Sequence, residues 1–128
     1  MARQINPSSF PSPQSNYSQG MVHNMASERL VISGQVGVKS DGSVANGLDA
    51  QMHQTWQNFM TVLSEAGFAP EHVIKVTIFT TMPALEEFRR TREEYLAGFA
   101  PAATYVQVAG LANPDFIVEI EGEAVKEG

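Results

Sequence analysis

The sequence contains no cysteine, which excludes disulfides, thiolate zinc sites and a cysteine nucleophile. It has 8 basic residues against 14 acidic ones, and the net charge of −6 disfavours binding to nucleic acid or to an anionic membrane surface. No apolar run approaches the roughly 20 residues that a membrane-spanning helix needs. These shortages argue against disulfide-stabilised domains, nucleic-acid-binding proteins and membrane proteins.

The chain is long enough for one hydrophobic core. Its 128 residues, of which 43% are hydrophobic, predict a single domain over residues 1–128. Residues 1–16 are expected to form an irregular arm, because residues 6–16 are rich in proline and serine. The first 20 residues lack the apolar segment of a signal peptide, so we expect a cytoplasmic protein.

Two segments have the apolar periodicity of a helix that packs one face against a core. The first spans residues 48–66, with Asp49 as the expected N-cap and Gly67 suited to the left-handed position after the helix. The second opens at Pro83, whose missing N–H costs nothing in a first turn. Their apolar stripes are Met52, Trp56, Phe59 and Leu63 in the first helix, and Leu85, Phe88, Tyr95, Leu96 and Phe99 in the second.

Strand signals surround these helices and predict the order β-β-α-β-α-β-β, an α+β fold. The predicted strands are residues 29–33, a short segment between the turn signals at 40–43 and 46–47, and residues 73–81, 104–109 and 116–125.

The strand predicted at residues 73–81 has apolar side chains on both faces. Two helices cover only one face of a sheet, so the other face needs a different cover, and in a short chain that cover is expected to be another subunit. The two faces are Ile74, Val76 and Ile78 on one side, and Val73, Thr77 and Phe79 on the other.

Arg92 interrupts the apolar stripe of the second helix, four residues after Phe88 and three before Tyr95. It either covers apolar surface with its stem while the charge reaches water, or directs a cation into an interface or pocket. Because a buried unpaired guanidinium is costly, the second alternative requires an acidic partner or an anionic ligand. Glu119 is the first candidate partner, either within the chain or across a subunit boundary.

Three glutamates, Glu119, Glu121 and Glu123, alternate along the last strand and therefore share one face. A solvated strand face is the commoner explanation, and a carboxylate that acts as a general base or orients water is the functional one. Tyr17 and Tyr105 are either pocket-lining hydroxyls or packing residues.

The histidines give no metal signal. No two of them lie at metal-ligand spacing and no Asp/Glu cluster accompanies them, so we expect no metal site. They are His23, His53 and His72.

Taken together, several segments resemble the RidA/YjgF family of reactive imine and enamine deaminases, also called endoribonuclease L-PSP-like proteins. The resemblance covers nearly the whole chain from Tyr17 onward, and the order and spacing of the segments are more specific than any one of them. The segments are NYSQG (16–20), VISGQ (31–35), LSEAG (63–67), VIKVTIF (73–79), PAAT (101–104) and VEIE (118–121).

The resemblance implies a RidA/YjgF-like (chorismate-mutase-like) sheet with two helices on one face, assembled as a homotrimer with a barrel-like core. It implies active sites in clefts between subunits, where 2-imino or enamino acids are hydrolysed without metal or cofactor. Of the residues that match, Tyr17 and Ser33 correspond to the cleft tyrosine and serine, and Glu119 to the carboxylate associated with the attacking water.

The sequence departs from the family pattern at Ala103. The family's deaminases have an arginine there that binds the substrate carboxylate, whereas this chain reads Pro-Ala-Ala. Tyr105 occupies a position that is often cysteine or a hydroxyl residue, and Arg92 corresponds to the cleft-facing asparagine. Losing the arginine removes the main charge-assisted anchor for a carboxylate, so either Arg92 supplies the cation or the ligand differs.

Three functions remain open from the sequence. The first is a RidA-like hydrolase or deaminase with altered substrate choice, acting on a small molecule that carries a carboxylate. The second is a non-catalytic trimer that binds a small metabolite in the same clefts. The third, a ribonuclease or translation inhibitor, is the weakest because the chain is acidic and has no basic stripe.

Overall fold

The computed structural model describes residues 2–25 and 27–127, which form two helices and six strands. In chain order the elements are β1 (Arg3–Ile5), β2 (Gly20–Val22), β3 (Glu28–Val36), α1 (Leu48–Glu65), a 3-10 turn (Pro70–His72), β4 (Val73–Thr80), α2 (Leu85–Tyr95), β5 (Ala102–Gln107) and β6 (Val118–Lys126).

The central sheet has four strands in the order β3-β6-β4-β5. The β3–β6 and β6–β4 pairs are antiparallel and the β4–β5 pair is parallel. Both helices contribute to one hydrophobic core, whose sheet residues come from one face of β3, β4 and β6. The α+β fold with two helices on one face of the sheet is therefore confirmed.

The strand order before α1 differs from the prediction. Two strands were expected there, residues 29–33 and a segment between residues 43 and 46. The described residues before α1 form three strands, β1, β2 and β3, while the predicted second strand contributes only an isolated bridge between Val38 and Val44. A stretch bounded closely by turns on both sides is too short to form a ladder.

The expected irregular arm contains a short strand. Arg3–Ile5 pairs antiparallel with Gly20–Val22, so the arm leaves this pair at residue 6 and returns to it at residue 19. Asn16 near its end donates from its side chain to the Gly98 carbonyl and to the Glu93 carboxylate, both at 2.8 Å. The end of the arm is thus held beside the end of α2.

Helix α1 buries its predicted stripe, and Met52, Trp56, Phe59 and Leu63 are all at most 1% exposed. Its C-terminus follows the sequence prediction, because Gly67 adopts φ +82° and donates to the Ser64 carbonyl. The next amide, of Phe68, reaches back to the Leu63 carbonyl at 3.0 Å and completes a Schellman motif.

The predicted N-cap of α1 is wrong. Gly47 occupies that position, with no side-chain cap. Asp49 lies in the first turn instead, where its carboxylate is 3.5 Å from the Arg90 guanidinium of α2. An acidic residue in the first turn interacts favourably with the helix dipole without capping it.

Helix α2 is shorter than predicted. It begins at Leu85, with Ala84 rather than Pro83 next to it, and ends at Tyr95. Phe88 and Leu96 of the predicted stripe are buried, whereas Leu85 and Phe99 are 39% and 44% exposed.

Trp56 joins the two helices at the centre of the core. Its indole N–H donates to Thr91 Oγ1 at 3.0 Å, and its ring stacks on Phe88 and Tyr95 with interplanar angles of 7° and 10°. This contact fixes how α2 is rotated about its axis and hence which residues of α2 face away from α1.

The sheet face away from the helices is more polar than the sequence predicted. A register shift between Val73 and Lys75 places Val73 opposite Ala124, where it is 3% exposed in the core. The alternation assumed from the sequence fails at this point because a bulge changes the phase of the strand. The open face of β4 consists of Lys75, Thr77 and Phe79, all half-buried.

Candidate functional site

A small cavity of about 150 Å³ lies between α2, β5 and the end of the N-terminal arm. Four of the six candidate residues from the sequence line it: Tyr17, Arg92, Ala103 and Tyr105. The remaining lining residues are Ser15, Leu85, Phe88 and Arg89. One chain therefore brings together most, but not all, of the candidate residues.

Arg92 is the most deeply buried charged residue of this cavity, at 3% exposure. Its guanidinium lies 5.0 Å from the centre of the Phe88 ring, and one Nη donates to Ser15 Oγ at 3.1 Å. Its Nε is buried without a hydrogen-bond partner among the described residues. The position of Arg92 on the inner side of α2 follows from the helix rotation fixed by Trp56 and Thr91.

Burial lowers the pKa of Arg92 from its usual range, and the nearby positive charge of Arg89 lowers it further. Glu93 and Tyr17 act in the opposite direction. Within the described part of the chain, Arg92 forms no ion pair with a carboxylate. The predicted pairing with Glu119 is thus absent within one chain, and a pairing across a subunit boundary stays a prediction.

Tyr105 contributes its ring to the cavity wall, while its hydroxyl has a structural role. The hydroxyl oxygen accepts a hydrogen bond from the Ala84 amide at 2.8 Å and is hydrogen-bonded to the Thr80 hydroxyl at 3.0 Å. The phenol therefore fixes the start of α2 against β4 and β5. Ala103, two residues earlier on the same face, packs against the core and leaves open the space that a longer side chain would fill.

Glu119 and Ser33 lie on the opposite face of the sheet. Ser33 is exposed at the bulge of β3, where the register shifts between Ile32 and Gln35. The half-buried Glu119 side chain lies against Gly34, so close that a Cβ on Gly34 would be 2.7 Å from the carboxyl carbon. The missing side chain of Gly34 thus makes room for the Glu119 carboxylate.

These two residues are distant from the cavity within one chain. Strand β3 is at the far edge of the sheet from β5, and three strand spacings amount to roughly 14 Å. Glu119 is on β6, two strands from β5 and on the other face. A small molecule in the cavity therefore does not reach Glu119 or Ser33 of the same chain.

Sequence reasoning missed Arg89 and Ser15 as cavity residues. Arg89 precedes Arg92 by three residues, and residues at that spacing are neighbours on a helix surface. That spacing was the signal. Ser15 had none, because its place at the cavity depends on the path of the arm.

Among residues 2–25 and 27–127, no three His, Asp or Glu residues are grouped closely enough to hold a metal ion. No helix in the described part of the chain combines the length and apolar character needed to cross a membrane.

Comparison with known proteins places this chain in a family. A family model described as Endoribonuclease L-PSP matches residues 8–126. The chain therefore belongs to the RidA/YjgF family, whose fold the structure also has.

Curated relatives cover almost the full length of the chain. A RutC family protein of Aquifex aeolicus is 35% identical over 129 residues, covering 97% of this chain and 99% of the relative. A 2-iminobutanoate/2-iminopropanoate deaminase of Salmonella typhimurium is 30% identical, covering 98% of this chain and 99% of the relative.

Solved structures agree. YyfB of Yersinia pestis, a Rid-family protein of unknown function, superposes with a TM-score of 0.88 at 29% identity and 98% coverage of both chains. RidA from the Antarctic bacterium Psychrobacter sp. PAMC 21119 gives a TM-score of 0.73 at 26% identity, covering 97% of this chain and 99% of its own.

Proposed function

We propose that this protein is a RidA-like hydrolase or deaminase that acts on an imine, an enamine or a related small metabolite in a cleft between two subunits. The observation that carries the proposal is the division of the candidate residues over two surfaces of one chain. A homotrimer in which each cavity meets a neighbour's open sheet face brings the two sets together. Deaminase relatives at 30% identity support the reaction class.

In this proposal the cavity residues bind the substrate, and Glu119 of the neighbouring subunit is the general base that activates the attacking water. The Glu119 carboxylate takes a proton from water as the oxygen attacks the imine carbon. That proton goes to the imine nitrogen and gives a carbinolamine. Its hydroxyl proton then passes to the nitrogen, the C–N bond breaks, and ammonia leaves as the carbonyl forms. Tyr17 and Ser33 line the cleft, and Arg92 supplies the cation that Ala103 does not.

The first test compares two glutamates of the same strand face, Glu119 and Glu121. An amino-acid oxidase supplies 2-imino acids in situ, and the rate of keto-acid formation is measured. Glu119→Gln is expected to lower the rate by about 10²–10⁴-fold, the usual contribution of a general base. Glu121→Gln is the matched control and is expected to leave the rate unchanged. Equal losses in both variants contradict the proposed role of Glu119.

The second test asks whether the site is shared between subunits. Chains with Glu119→Gln and chains with Arg92→Gln are mixed, unfolded and refolded together. In random trimers roughly a quarter of the clefts combine an intact cavity with an intact sheet face. Activity of that order supports the shared cleft, whereas no recovery, or a stable monomer in sedimentation at micromolar concentration, contradicts it.

2-Imino acids with alkyl side chains are expected to be hydrolysed slowly. Ala103 on β5 stands where the family's deaminases have an arginine, so this strand supplies no cation for the substrate carboxylate. Activity on 2-iminopropanoate should therefore be weak or absent compared with a family member that has the arginine. Activity equal to that of such a member refutes the argument from Ala103. Ala103→Arg tests it from the other side, although repulsion by Arg92 opposes the new charge.

The alternative is a non-catalytic trimer that binds a small metabolite in the same clefts. Ala103 favours it, because the residue most closely tied to carboxylate binding in the family is missing. Ligand binding without turnover on any imine establishes this alternative. The ribonuclease function has the least support, because the chain carries a net charge of −6. The cytoplasmic location expected from the sequence stays a prediction.

A further inference from the structure

The cavity beside α2 is lined by two guanidinium groups, Arg89 and Arg92, and by no carboxylate of the described residues. Arg92 is buried, whereas the Arg89 side chain is 33% exposed at the rim. Arg89 lies 4.0 Å from Glu86, whose side chain is 86% exposed. An ion pair that is this long and this exposed adds little stability, so Arg89 is free to take another anion.

Acidic residues of α2 offset only part of the positive charge of the cavity. The positive charge of Arg89 lowers the pKa of Arg92 more than the negative charge of Glu93 raises it. Glu93 also accepts a hydrogen bond from the Asn16 amide at 2.8 Å, which holds its carboxylate at the end of the arm. Two like charges one helical turn apart, one of them desolvated, favour an anion between them.

Hydrogen-bond donors remain available at the same place. A guanidinium has five N–H donors, and Arg92 uses one Nη for Ser15. Its other Nη donates to no residue in the described part of the chain, and Nε is without a partner. Leu85 and Phe88, which lie on the same helix, supply an apolar part of the cavity wall.

Resting on the proposed function, we propose that the cavity binds a small dicarboxylate, with one carboxylate on Arg92 and the other on Arg89. The substrate class is then the 2-imino or enamine form of a four-carbon dicarboxylic acid, which water converts to the keto diacid and ammonia. The volume of about 150 Å³ lies well below that of drug-sized ligand sites and suits such a molecule. Residues at i and i+3 have Cβ atoms roughly 5–6 Å apart, the order of length that a four-carbon diacid spans.

The test measures binding separately from turnover. Succinate and butanoate have four carbons each and differ by one carboxylate, and neither is an imine. Their dissociation constants are measured by titration calorimetry on the full-length protein at low ionic strength. Succinate is expected to bind about 10-fold or more tightly than butanoate, the ratio that one additional charge-assisted hydrogen bond gives.

Three variants assign the charges. Arg89→Gln is expected to weaken succinate to the level of butanoate and to leave butanoate unchanged. Arg92→Gln is expected to weaken both ligands. Arg90→Gln is the matched control, because Arg90 lies on the same helix, pairs with Asp49 at 3.5 Å and does not line the cavity. Circular dichroism and thermal melting check that each variant is folded.

Equal binding of the two acids, no binding of either, or an unchanged ratio in Arg89→Gln overturns the dicarboxylate proposal. Such a result alongside turnover of alkyl imino acids leaves the proposed function standing. A succinate preference that depends on Arg89, found in a protein that hydrolyses no imine, supports the site and refutes the hydrolase. The two failures are therefore distinguishable.

Discussion

Gly34→Ala is expected to displace the Glu119 carboxylate without changing the identity of residue 119. The new Cβ would lie 2.7 Å from the carboxyl carbon of Glu119 and 3.0 Å from its Cγ, so the carboxylate has to swing away. Gly34 has no positive φ, so alanine fits the backbone there. The substitution moves the proposed base while leaving its chemistry intact.

The energetic cost of Gly34→Ala is expected to be small. Turning a flexible side chain out of its preferred rotamer costs about 0.5–1.5 kcal/mol. Replacing glycine by alanine at a compatible position stabilises by about 0.4–1 kcal/mol, because the unfolded chain loses conformational freedom. The two terms nearly cancel, so the free energy of unfolding should change by less than about 1 kcal/mol.

Gly122→Ala on β6 is the matched comparison. A Cβ there would lie 2.6 Å from the Lys75 carbonyl oxygen and 2.9 Å from the Phe59 ring, and neither is the end of a flexible chain. Such overpacking costs about 1–3 kcal/mol or more, because β4 and β6 have to separate. The core should therefore lose stability through Gly122→Ala and not through Gly34→Ala.

Both variants are measured by urea unfolding at one fixed protein concentration, because oligomer stability depends on concentration. The rate of imine hydrolysis is measured in parallel. Gly34→Ala is expected to lose most of its activity at near-normal stability. Full activity in Gly34→Ala refutes the assignment of Glu119, and a loss of stability as large as that of Gly122→Ala refutes the packing argument.

Thr91→Val leaves the Trp56 indole N–H unpaired in the core and should lower the free energy of unfolding by about 1–3 kcal/mol in chemical denaturation. Gly67→Ala forces a side chain into the left-handed region at φ +82° and should cost about 1–2 kcal/mol by the same assay. Hydrogen bonds from Ser43 lower the pKa of the exposed Asp41 carboxyl below its ordinary value of 3.8. The stability that these hydrogen bonds contribute to the folded state is therefore present above pH 3.8 and lost as the pH falls through the lowered pKa. An NMR titration in which the Asp41 carboxyl midpoint lies at or above 3.8 contradicts this.

The helices were predictable because their evidence is local. The stripe from Met52 to Leu63 and the stop at Gly67 depend on residues within a few turns of one another. The N-cap was missed because Gly47, which occupies that position, has no side chain that could mark it in the sequence. The start of α2 differed from the prediction because it depends on a long-range contact, in which the Ala84 amide donates to the Tyr105 hydroxyl of β5.

The candidate site was predictable only in part. Tyr17, Arg92, Ala103 and Tyr105 meet at one cavity, although they come from three distant parts of the sequence. The bulge that turns Val73 into the core left no sequence signal, because a one-residue change of phase preserves composition. The three-residue spacing of Arg89 and Arg92 predicts that they are neighbours on α2. Which face of α2 borders the cavity depends on tertiary packing, which the sequence does not show.

The stacking of Trp56 on α2 gives the protein an internal fluorescent probe. Trp56 is the only tryptophan in the sequence and is fully buried, so its emission should be that of an apolar environment until the core opens. Its ring centre lies 6.2 Å from that of Phe88, whose ring is in turn 5.0 Å from the Arg92 guanidinium. We expect a ligand that draws the guanidinium off this ring to alter the packing of Phe88, so that a change in Trp56 emission reports occupancy of the cavity without a label.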